Sequence, residues 1–252
     1  MTRSENFTKN IPNFLTLMSL CSGFVSIIFV CNEAIFSAAL FIMIAAVFDF
    51  FDGFAARALH ATSDKGKVLD SVSDVVSFGA APSALIFLLV KVSLSHSNLD
   101  FSFSSASFTD LLFLFSPLIF LVASAWRLAE FTVQKDSLSF HGLPTPPASM
   151  FFAGLALIIS EPENSRIADF LLELYFIIPA CLLISLLMIS KIRFISLKFK
   201  ESGFRQNILK YILILISIVM LILFKKFAIS LIIVIYILLS IIVHFIKKPS
   251  VL

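Results

Sequence analysis

Four aspartates stand close together in a sequence that is otherwise strongly apolar. They lie in the segment DFFDGFAARALHATSDKGKVLDSVSD, between two long apolar runs, and are Asp49, Asp52, Asp70 and Asp74. An acidic side chain at the centre of a membrane helix costs about 2.5–3.5 kcal/mol, so carboxylates beside such runs need a compensating partner. Carboxylate oxygens are hard ligands that suit Mg²⁺, Mn²⁺ or Ca²⁺, whereas Zn²⁺ prefers His or Cys. The residue types therefore indicate a divalent cation site.

The spacing of these residues predicts two helix faces that meet. On the first helix, intervals of three and four place one set of residues on a single face: Asp49, Asp52, Gly53, Ala56 and Arg57. On the next helix Gly66, Asp70 and Asp74 recur every four residues. The connection between the helices is short, so we expect antiparallel neighbours with four carboxylates converging beside one arginine.

This arrangement suits the transfer of a phosphoryl group. Carboxylate-bound metal ions about 3.5–4 Å apart clamp such a group during in-line displacement. Arg57 can fork onto phosphate oxygens, and Gly53 would let a nucleotide approach the helix backbone closely. Two other interpretations are an ion-paired seam between helices and an ion-coupled transporter. Four acids near one arginine disfavour the seam, and a transporter predicts acids across the membrane depth, whereas these cluster at one leaflet.

The elements that position the aspartates are membrane helices. Of 252 residues, 59% are hydrophobic and 14% charged, with a mean hydropathy of +1.03, far more apolar than a soluble domain. Continuous apolar runs long enough to cross the bilayer predict an all-α, polytopic bundle rather than a barrel. We predict about eight spans, at residues 13–31, 34–58, 68–92, 109–133, 147–160, 168–190, 207–224 and 227–246.

The distribution of basic residues predicts the topology of a single membrane domain, residues 1–252. With both termini in the cytosol, only four of the 19 Lys and Arg residues lie outside: Lys91, Arg166, Lys225 and Lys226. The last two spans carry no acidic residue and are expected to form lipid-facing scaffold or an oligomer surface. No nucleic-acid partner is expected.

The aspartate segment resembles the signature of the CDP-alcohol phosphotransferase family, with every fixed position and gap matched. The matching residues are Asp49, Asp52, Gly53, Ala56, Arg57, Gly66, Asp70 and Asp74, with eight residues between Arg57 and Gly66. The resemblance implies a dimeric helical membrane enzyme whose active site opens to the cytosol. Such an enzyme transfers a phosphoalcohol from a CDP-linked donor to a hydroxyl acceptor and releases CMP.

The same resemblance implies roles for individual residues. Asp49, Asp52 and Asp70 would hold the metals, expected to be two Mg²⁺ or Mn²⁺ ions, and Asp74 would be both a ligand and the general base. The residues implied to contact the donor nucleotide and diphosphate are Gly53, Arg57 and Ser63, together with Asn13 and Thr16 in the segment IPNFLT.

Three further stretches resemble the phosphatidylserine synthases of bacteria within this family. They are DSVSDVVSFGAAPS at 70–83, WRLAEFTVQKDSLSFHGLPTPPAS at 126–149 and SKIRF at 190–194. The resemblance thus covers a six-helix catalytic core, about residues 10–194, and leaves two extra spans, about 207–246. It implies CDP-diacylglycerol as donor, L-serine as acceptor, and a bacterial cytoplasmic membrane as location.

The residues constrain the identity of the acceptor substrate less than that of the donor. Arg127 and His141 are candidate acceptor-binding residues, since the arginine is an apt bidentate partner for a serine carboxylate. Glu130 and Thr132 stand where the subfamily has arginine and asparagine, and GLPTPP carries an extra proline. Glycerol 3-phosphate, inositol phosphate and choline therefore remain alternative acceptors for the same chemistry.

Overall fold

A computed structural model describes residues 3–61, 63–97, 106–133, 142–161, 165–195 and 207–246. Within these ranges the chain forms helices joined by turns, and it has no β-strand. The α-helices are α1 (Arg3–Cys31), α2 (Ile35–Ala58), α3 (Asp64–Asp74), α4 (Ala81–Ser97), α5 (Phe108–Phe115), α6 (Pro117–Val133), α7 (Thr145–Ile159), α8 (Ser165–Leu172), α9 (Leu174–Ile189), α10 (Ile208–Phe224) and α11 (Ala228–Ile246). A π-helical segment, Val75–Ala80, joins α3 to α4, and a short 3₁₀ turn, Lys225–Phe227, joins α10 to α11.

Five stretches of helix are long and apolar enough to cross a membrane. They are Asn10–Cys31, Ile35–Ala58, Asp64–His96, Phe108–Thr132 and Ala228–Ile246. A sixth is formed if α8 and α9, which meet at a bend of 57°, make one span. Two shorter apolar helices, Thr145–Ile159 and Lys210–Phe224, lie where the fifth and seventh spans are predicted. The all-helical membrane architecture is confirmed, with five to six spans by length and composition.

The hairpin of α1 and α2 is packed through small side chains. Ala38 and Ala39 are fully buried on α2. The Ser26 hydroxyl donates to the Ala38 carbonyl oxygen at 2.8 Å, and the Ser19 hydroxyl donates to the Ala45 carbonyl oxygen at 3.0 Å. Small residues let two membrane helices approach closely, and hydroxyl donors link them. The hairpin therefore holds the C-terminal end of α2 beside the N-terminal part of α1.

The π-helical segment is fixed by neighbouring helices on both sides. From α1, the Ser19 carbonyl oxygen accepts a hydrogen bond from the Ser77 hydroxyl at 2.9 Å. From α7, the Ser149 hydroxyl donates to the Phe78 carbonyl oxygen at 2.7 Å. Short π segments inside helices are often found at functional sites. Here the segment begins directly after Asp74, so its anchors also fix that aspartate.

Gly23 allows α1 to touch the π segment through its backbone. A Cβ atom at this position would lie 2.6 Å from the Ser77 Cα atom, closer than real Cβ contacts. Only glycine permits this approach.

The last helix, α11, packs one face inward. Ser230 on this helix donates to the Phe151 carbonyl oxygen of α7 at 3.0 Å, opposite Gly154. Tyr236 and Ser240 are buried on the same helix, at 3% and 0% exposure, while Leu238 and Phe245 are exposed. The helix expected to be only a scaffold or an oligomer surface thus also contributes buried polar side chains to the interior.

Candidate active site

Three of the predicted aspartates form a tight cluster between α2 and α3. One carboxylate oxygen from each of Asp49, Asp70 and Asp74 lies within 4.8 Å of the others, and all three residues are half-buried. This is the convergence that the helical spacing predicts: Asp49 comes from the last turns of α2, and the two others lie one turn apart on α3. Three carboxylate oxygens so arranged offer a ready set of ligands for a hard divalent cation.

Asp52 lies beside this cluster, one turn further along α2. It is buried, at 6% exposure, and its carboxyl group has Asp70 and Arg57 as charged neighbours. The Asp74 carboxyl group has all three other aspartates around it and is within hydrogen-bonding range of Asp49. Like charges this close repel each other unless a proton or a cation lies between them.

Unsatisfied carboxylate oxygens are a second observation that fits a divalent cation. Asp52 Oδ2 and Asp74 Oδ1 are buried and have no hydrogen-bond partner among the residues that the structure describes. A buried carboxylate oxygen without a donor is costly, and a metal ion would satisfy both atoms. The donor set is all oxygen, which suits Mg²⁺ or Mn²⁺.

A cleft of about 110 Å³ opens next to the aspartates. Its lining comes from the start of α1, the end of α2 and the start of α3: Pro12, Asn13, Thr16, Asp52, Gly53, Ala56, Ala61, Ser63, Gly66, Lys67 and Asp70. Four of the five residues predicted to contact the donor, Asn13, Thr16, Gly53 and Ser63, are therefore brought together. Ala61 and Lys67 line the cleft as well, although the sequence assigned them no role there.

The turn into α3 shapes one wall of the cleft. Ser63 caps the helix, because its hydroxyl accepts a hydrogen bond from the Gly66 N–H at 3.0 Å. A Cβ atom on Gly66 would lie 3.0 Å from both Asn13 Oδ1 and Ser63 Oγ. The glycine of the signature thus keeps open a narrow gap between two predicted donor contacts.

Arg57 lies in the last turn of α2, at the rim of the cleft. The side chain is exposed, and its Nη1 atom is 3.5 Å from the position that a Cβ on Gly53 would take. The guanidinium is also a charged neighbour of Asp52. Arg57 thus places a positive charge at the acidic end of α2, where a diphosphate would need charge neutralisation.

Arg127 lies on α6, on the other side of the cluster. It is buried, at 9% exposure, and its polar neighbours are Tyr236, Asp74 and Glu130. Its Nε atom has no hydrogen-bond partner in the described part of the chain. A buried Nε–H without an acceptor is costly, and a bound anion is one group that would satisfy it. His141, the other candidate for the acceptor, lies outside the described residues.

The two departures from the subfamily pattern differ in their surroundings. The Thr132 hydroxyl is 3.1 Å from that of Ser71, the residue after Asp70, so it links α6 to α3. Glu130 is exposed and is a charged neighbour of Arg127.

Tyr236 is a buried residue that sequence analysis did not select, and it is a polar neighbour of Arg127. It stands on an apolar helix far along the chain from Arg127. The available signal was a pair of polar residues, Tyr236 and Ser240, four positions apart among Ile and Leu. Such a pair shares one helix face, which predicts an inward orientation.

The fold and the site together define a helical membrane protein with a cluster of carboxylates, suited to a divalent cation, beside a small cleft. The chain belongs to the CDP-alcohol phosphatidyltransferase family, whose sequence model matches residues 9–187. The family expected from the aspartate signature is therefore confirmed.

Individual relatives bear a more specific name. A protein of Bacillus subtilis, CDP-diacylglycerol--serine O-phosphatidyltransferase, is 33% identical over 185 residues, covering 73% of this chain and 89% of the relative. Proteins of the same name from Methanocaldococcus jannaschii and Helicobacter pylori are 30% and 27% identical. The first of these matches covers 73% of both chains, and the second covers 82% of this chain and 80% of the relative.

Proposed function

We propose that this protein transfers the phosphatidyl group of CDP-diacylglycerol to the hydroxyl of L-serine, giving phosphatidylserine and CMP. The observation that carries the proposal is the cluster of Asp49, Asp70 and Asp74 beside a cleft lined by the predicted donor contacts. The names of the relatives support serine as the acceptor.

In this proposal the four aspartates hold two divalent ions, Mg²⁺ or Mn²⁺. Asp49, Asp52 and Asp70 are ligands only, and Asp74 is a ligand and the general base. Bound ions would supply neutralisation of the diphosphate charge and of the leaving group. The orphaned oxygens of Asp52 and Asp74 are the feature of this chain that supports their presence.

The protein's own residues bind and orient the donor. Asn13, Thr16, Gly53 and Ser63 line the cleft and would receive the cytidine and diphosphate. Arg57 at the rim would pair with phosphate oxygens. The acyl chains of the donor stay in the bilayer, so the reacting phosphorus is held at the level of the aspartates.

The transfer itself needs one proton acceptor and one acceptor-binding group. Asp74 takes the proton of the serine hydroxyl, and the oxygen forms a bond to the β-phosphorus while the bond from that phosphorus to the oxygen of CMP breaks. Arg127 pairs with the serine carboxylate and, as a neighbour of Asp74, holds the hydroxyl near the base.

The proposed setting is a homodimer in a bacterial cytoplasmic membrane, with the active site facing the cytosol. If the two shorter apolar helices, α7 and α10, also cross the membrane, the chain has eight spans. An even number of spans would place both termini in the cytosol, in agreement with the distribution of Lys and Arg. Residues 10–194 would form the catalytic core, and residues 207–246 two additional spans.

The test is CMP release by the purified protein in mixed micelles with CDP-diacylglycerol and Mg²⁺ or Mn²⁺. Serine, glycerol 3-phosphate, inositol phosphate and choline are supplied separately. We expect release with serine alone and loss of release after chelation of the metal. Release with another acceptor would keep the chemistry but replace serine, and no release from folded protein with any of them would favour a transporter.

A further inference from the structure

A second cavity, the distal groove, lies toward the end of the bundle opposite to the aspartates. It is lined by the end of α1, the turn before α2, one side of α4 and the region where α5 meets α6. Its volume is about 440 Å³, within the range of about 300–1,000 Å³ that is usual for small-molecule sites. Glu33, at its rim, precedes Asp49 by 16 residues, which is about 24 Å along a helix. The distal groove is therefore separate from the candidate active site.

The walls of the distal groove are mostly apolar. Pro117 begins α6 directly after the turn at Ser116, so the span made of α5 and α6 is interrupted beside the groove. Phe87 on α4 and Phe115 on α5 are among the side chains that line it. Such walls suit an acyl chain, but lipid chains are as apolar as leucine, so these contacts do not select one molecule. Selection would have to come from the polar groups of the groove.

An ion pair stands at the rim of the distal groove. Lys91 Nζ lies 2.7 Å from Glu33 Oε1, and the two side chains are 34% and 62% exposed. Both charges can therefore be reached by a ligand. A phosphate would pair with the ammonium of Lys91, whereas the carboxylate of Glu33 would repel it and attract a cation. The pair is thus complementary to a head group that carries a phosphate and an ammonium together.

The backbone of Glu33 is in an unusual conformation for a glutamate. Its φ is +57°, in the left-handed region, where glycine usually stands after the end of a helix. The turn itself is closed by backbone groups: the Glu33 N–H donates to the Val30 carbonyl oxygen at 3.0 Å, and the Ala34 N–H donates to that of Phe29 at 2.9 Å. Glycine would allow the same hydrogen bonds. What the glutamate adds is a carboxylate held beside Lys91.

A buried hydroxyl lies deeper in the lining of the distal groove. Ser83 is 6% exposed, and its Oγ atom has no hydrogen-bond partner among the residues that the structure describes. A buried hydroxyl without an acceptor is costly, and its hydrogen can rotate to suit one. Ser83 stands two turns before Lys91 on α4, and the lysine side chain leans back toward it. The ester carbonyl oxygens of a glycerolipid lie between the phosphate and the acyl chains, the same order as Lys91, Ser83 and the apolar wall.

We propose that the distal groove binds one phospholipid whose head group carries both a phosphate and an ammonium, as in phosphatidylethanolamine. Lys91 pairs with the phosphate, and Glu33 pairs with the ammonium. Ser83 donates to an ester carbonyl oxygen, and an acyl chain occupies the apolar part of the groove. This lipid lies in the leaflet away from the aspartates. The inference goes beyond the proposed transfer and does not depend on it.

The test is native mass spectrometry of the full-length protein in detergent. Phosphatidylethanolamine, phosphatidylglycerol and diacylglycerol with identical acyl chains are titrated separately, and the Kd of the first bound lipid is measured. We expect the wild type to bind phosphatidylethanolamine most tightly. Lys91→Gln should raise the Kd for both phospholipids by about two- to fivefold, the effect of one partly exposed charged pair. Glu33→Gln should raise the Kd for phosphatidylethanolamine alone, and Ser83→Ala should raise all three.

Matched controls change charge elsewhere on the surface. Arg166→Gln removes a positive charge and Asp169→Asn removes a negative charge at exposed positions of α8. Neither residue lines the distal groove. All three Kd values should therefore equal those of the wild type in both controls, which separates recognition at the groove from a general effect of net charge.

Three results would overturn the proposal. Equal Kd values for phosphatidylethanolamine and diacylglycerol would show that the head group is not recognised. Kd values that Lys91→Gln and Glu33→Gln leave unchanged would place the bound lipid elsewhere, and if Lys91→Gln fails to fold, Glu33→Gln and Ser83→Ala decide. Oxidative cross-linking of two copies through Cys31, which lines the groove, with Cys21 and Cys181 replaced by alanine, would show that a second copy covers it. CMP release bears on the proposed function and not on this inference.

Discussion

Two carboxylates of the acidic cluster have buried oxygen atoms that no hydrogen-bond donor among the described residues satisfies. Asp52 Oδ2 and Asp74 Oδ1 are buried without a hydrogen-bond partner in the described ranges, and Asp74 stands among three other aspartates. Burial and mutual repulsion both disfavour such a group of charges unless a cation joins them. We therefore expect a divalent cation bound to these carboxylates to stabilise the protein as well as to serve the proposed transfer.

Mn²⁺ binding tests this directly. Replacing Asp70 with Asn removes one charged ligand, and we expect the Kd for Mn²⁺, measured by electron paramagnetic resonance of the free ion, to rise at least about tenfold, since even indirect partners of metal ligands have effects of this size. Asp64→Asn is the matched control on the same helix: Asp64 is exposed and pairs with Lys67 at 3.3 Å. Equal Kd values for the two variants would contradict a metal site at the cluster.

The role of Arg127 is tested by a substitution that keeps the charge. Lysine cannot offer the planar fork of a guanidinium to a carboxylate. We therefore expect Arg127→Lys to raise the serine KM by about tenfold or more while the KM for CDP-diacylglycerol stays unchanged, because charge-assisted hydrogen bonds contribute about 1.5–3 kcal/mol. Arg166→Lys, at an exposed position, is the control. A donor KM that rises as much as the serine KM would contradict an acceptor role.

The aspartate cluster was predictable because it depends on residues that are close to one another in the sequence. Spacing of three and four within each helix, and a short connection between the helices, were enough to bring Asp49, Asp70 and Asp74 together. The neighbourhood of Arg127 and Tyr236 was not predictable in this way. The burial of these two side chains depends on how α6 and α11 pack against the rest of the bundle, and no local pattern encodes that packing.

Among the helices, the site depends on the π-helical segment between α3 and α4, which neighbouring helices hold in place. The π segment is held by Ser19 from α1 and Ser149 from α7, so Asp74 is fixed by contacts that lie on its C-terminal side. If Asp74 has the proposed role, fixing its position in advance reduces the cost of reaching the reactive geometry.

Gly23→Ala tests whether the close contact between α1 and the π-helical segment is required. The added Cβ would lie 2.6 Å from the Ser77 Cα atom, so α1 and the π segment would have to separate. We expect the free energy of unfolding in detergent micelles to fall by about 1–3 kcal/mol, the usual cost of overpacking, with a loss of activity. Cys21→Ala, an exposed change on the same helix, should alter neither. A Gly23→Ala protein as stable as the wild type would show that the close contact is not required.

The helices themselves were largely predictable, and their breaks were not. The predicted span at 34–58 is α2, from Ile35 to Ala58, because continuous apolar runs report burial in lipid. The π segment and the 57° bend between α8 and α9 left no clear mark in composition. Both are set by contacts with other helices, which override local propensity.

For the whole molecule, the proposed topology has the aspartates facing the cytosol. The exposed turn at Asn32 lies between α1 and α2, at the end opposite to the turn at His60. We expect a membrane-impermeant maleimide to label Asn32→Cys in intact cells and His60→Cys only after permeabilisation. The background would have the three native cysteines, Cys21, Cys31 and Cys181, replaced by alanine. The reverse pattern would place the site on the outer face.

Formation of phosphatidylserine is the measurement that tests the proposed transfer. Labelled serine and CDP-diacylglycerol are supplied with Mg²⁺ or Mn²⁺ to the wild type and to Asp74→Asn, both shown to be folded. We predict that the wild type forms labelled phosphatidylserine and CMP in equal amounts, and that Asp74→Asn forms neither, because the proton acceptor is lost. No labelled lipid from the wild type would contradict the proposed transfer, and normal amounts from Asp74→Asn would contradict the role of Asp74.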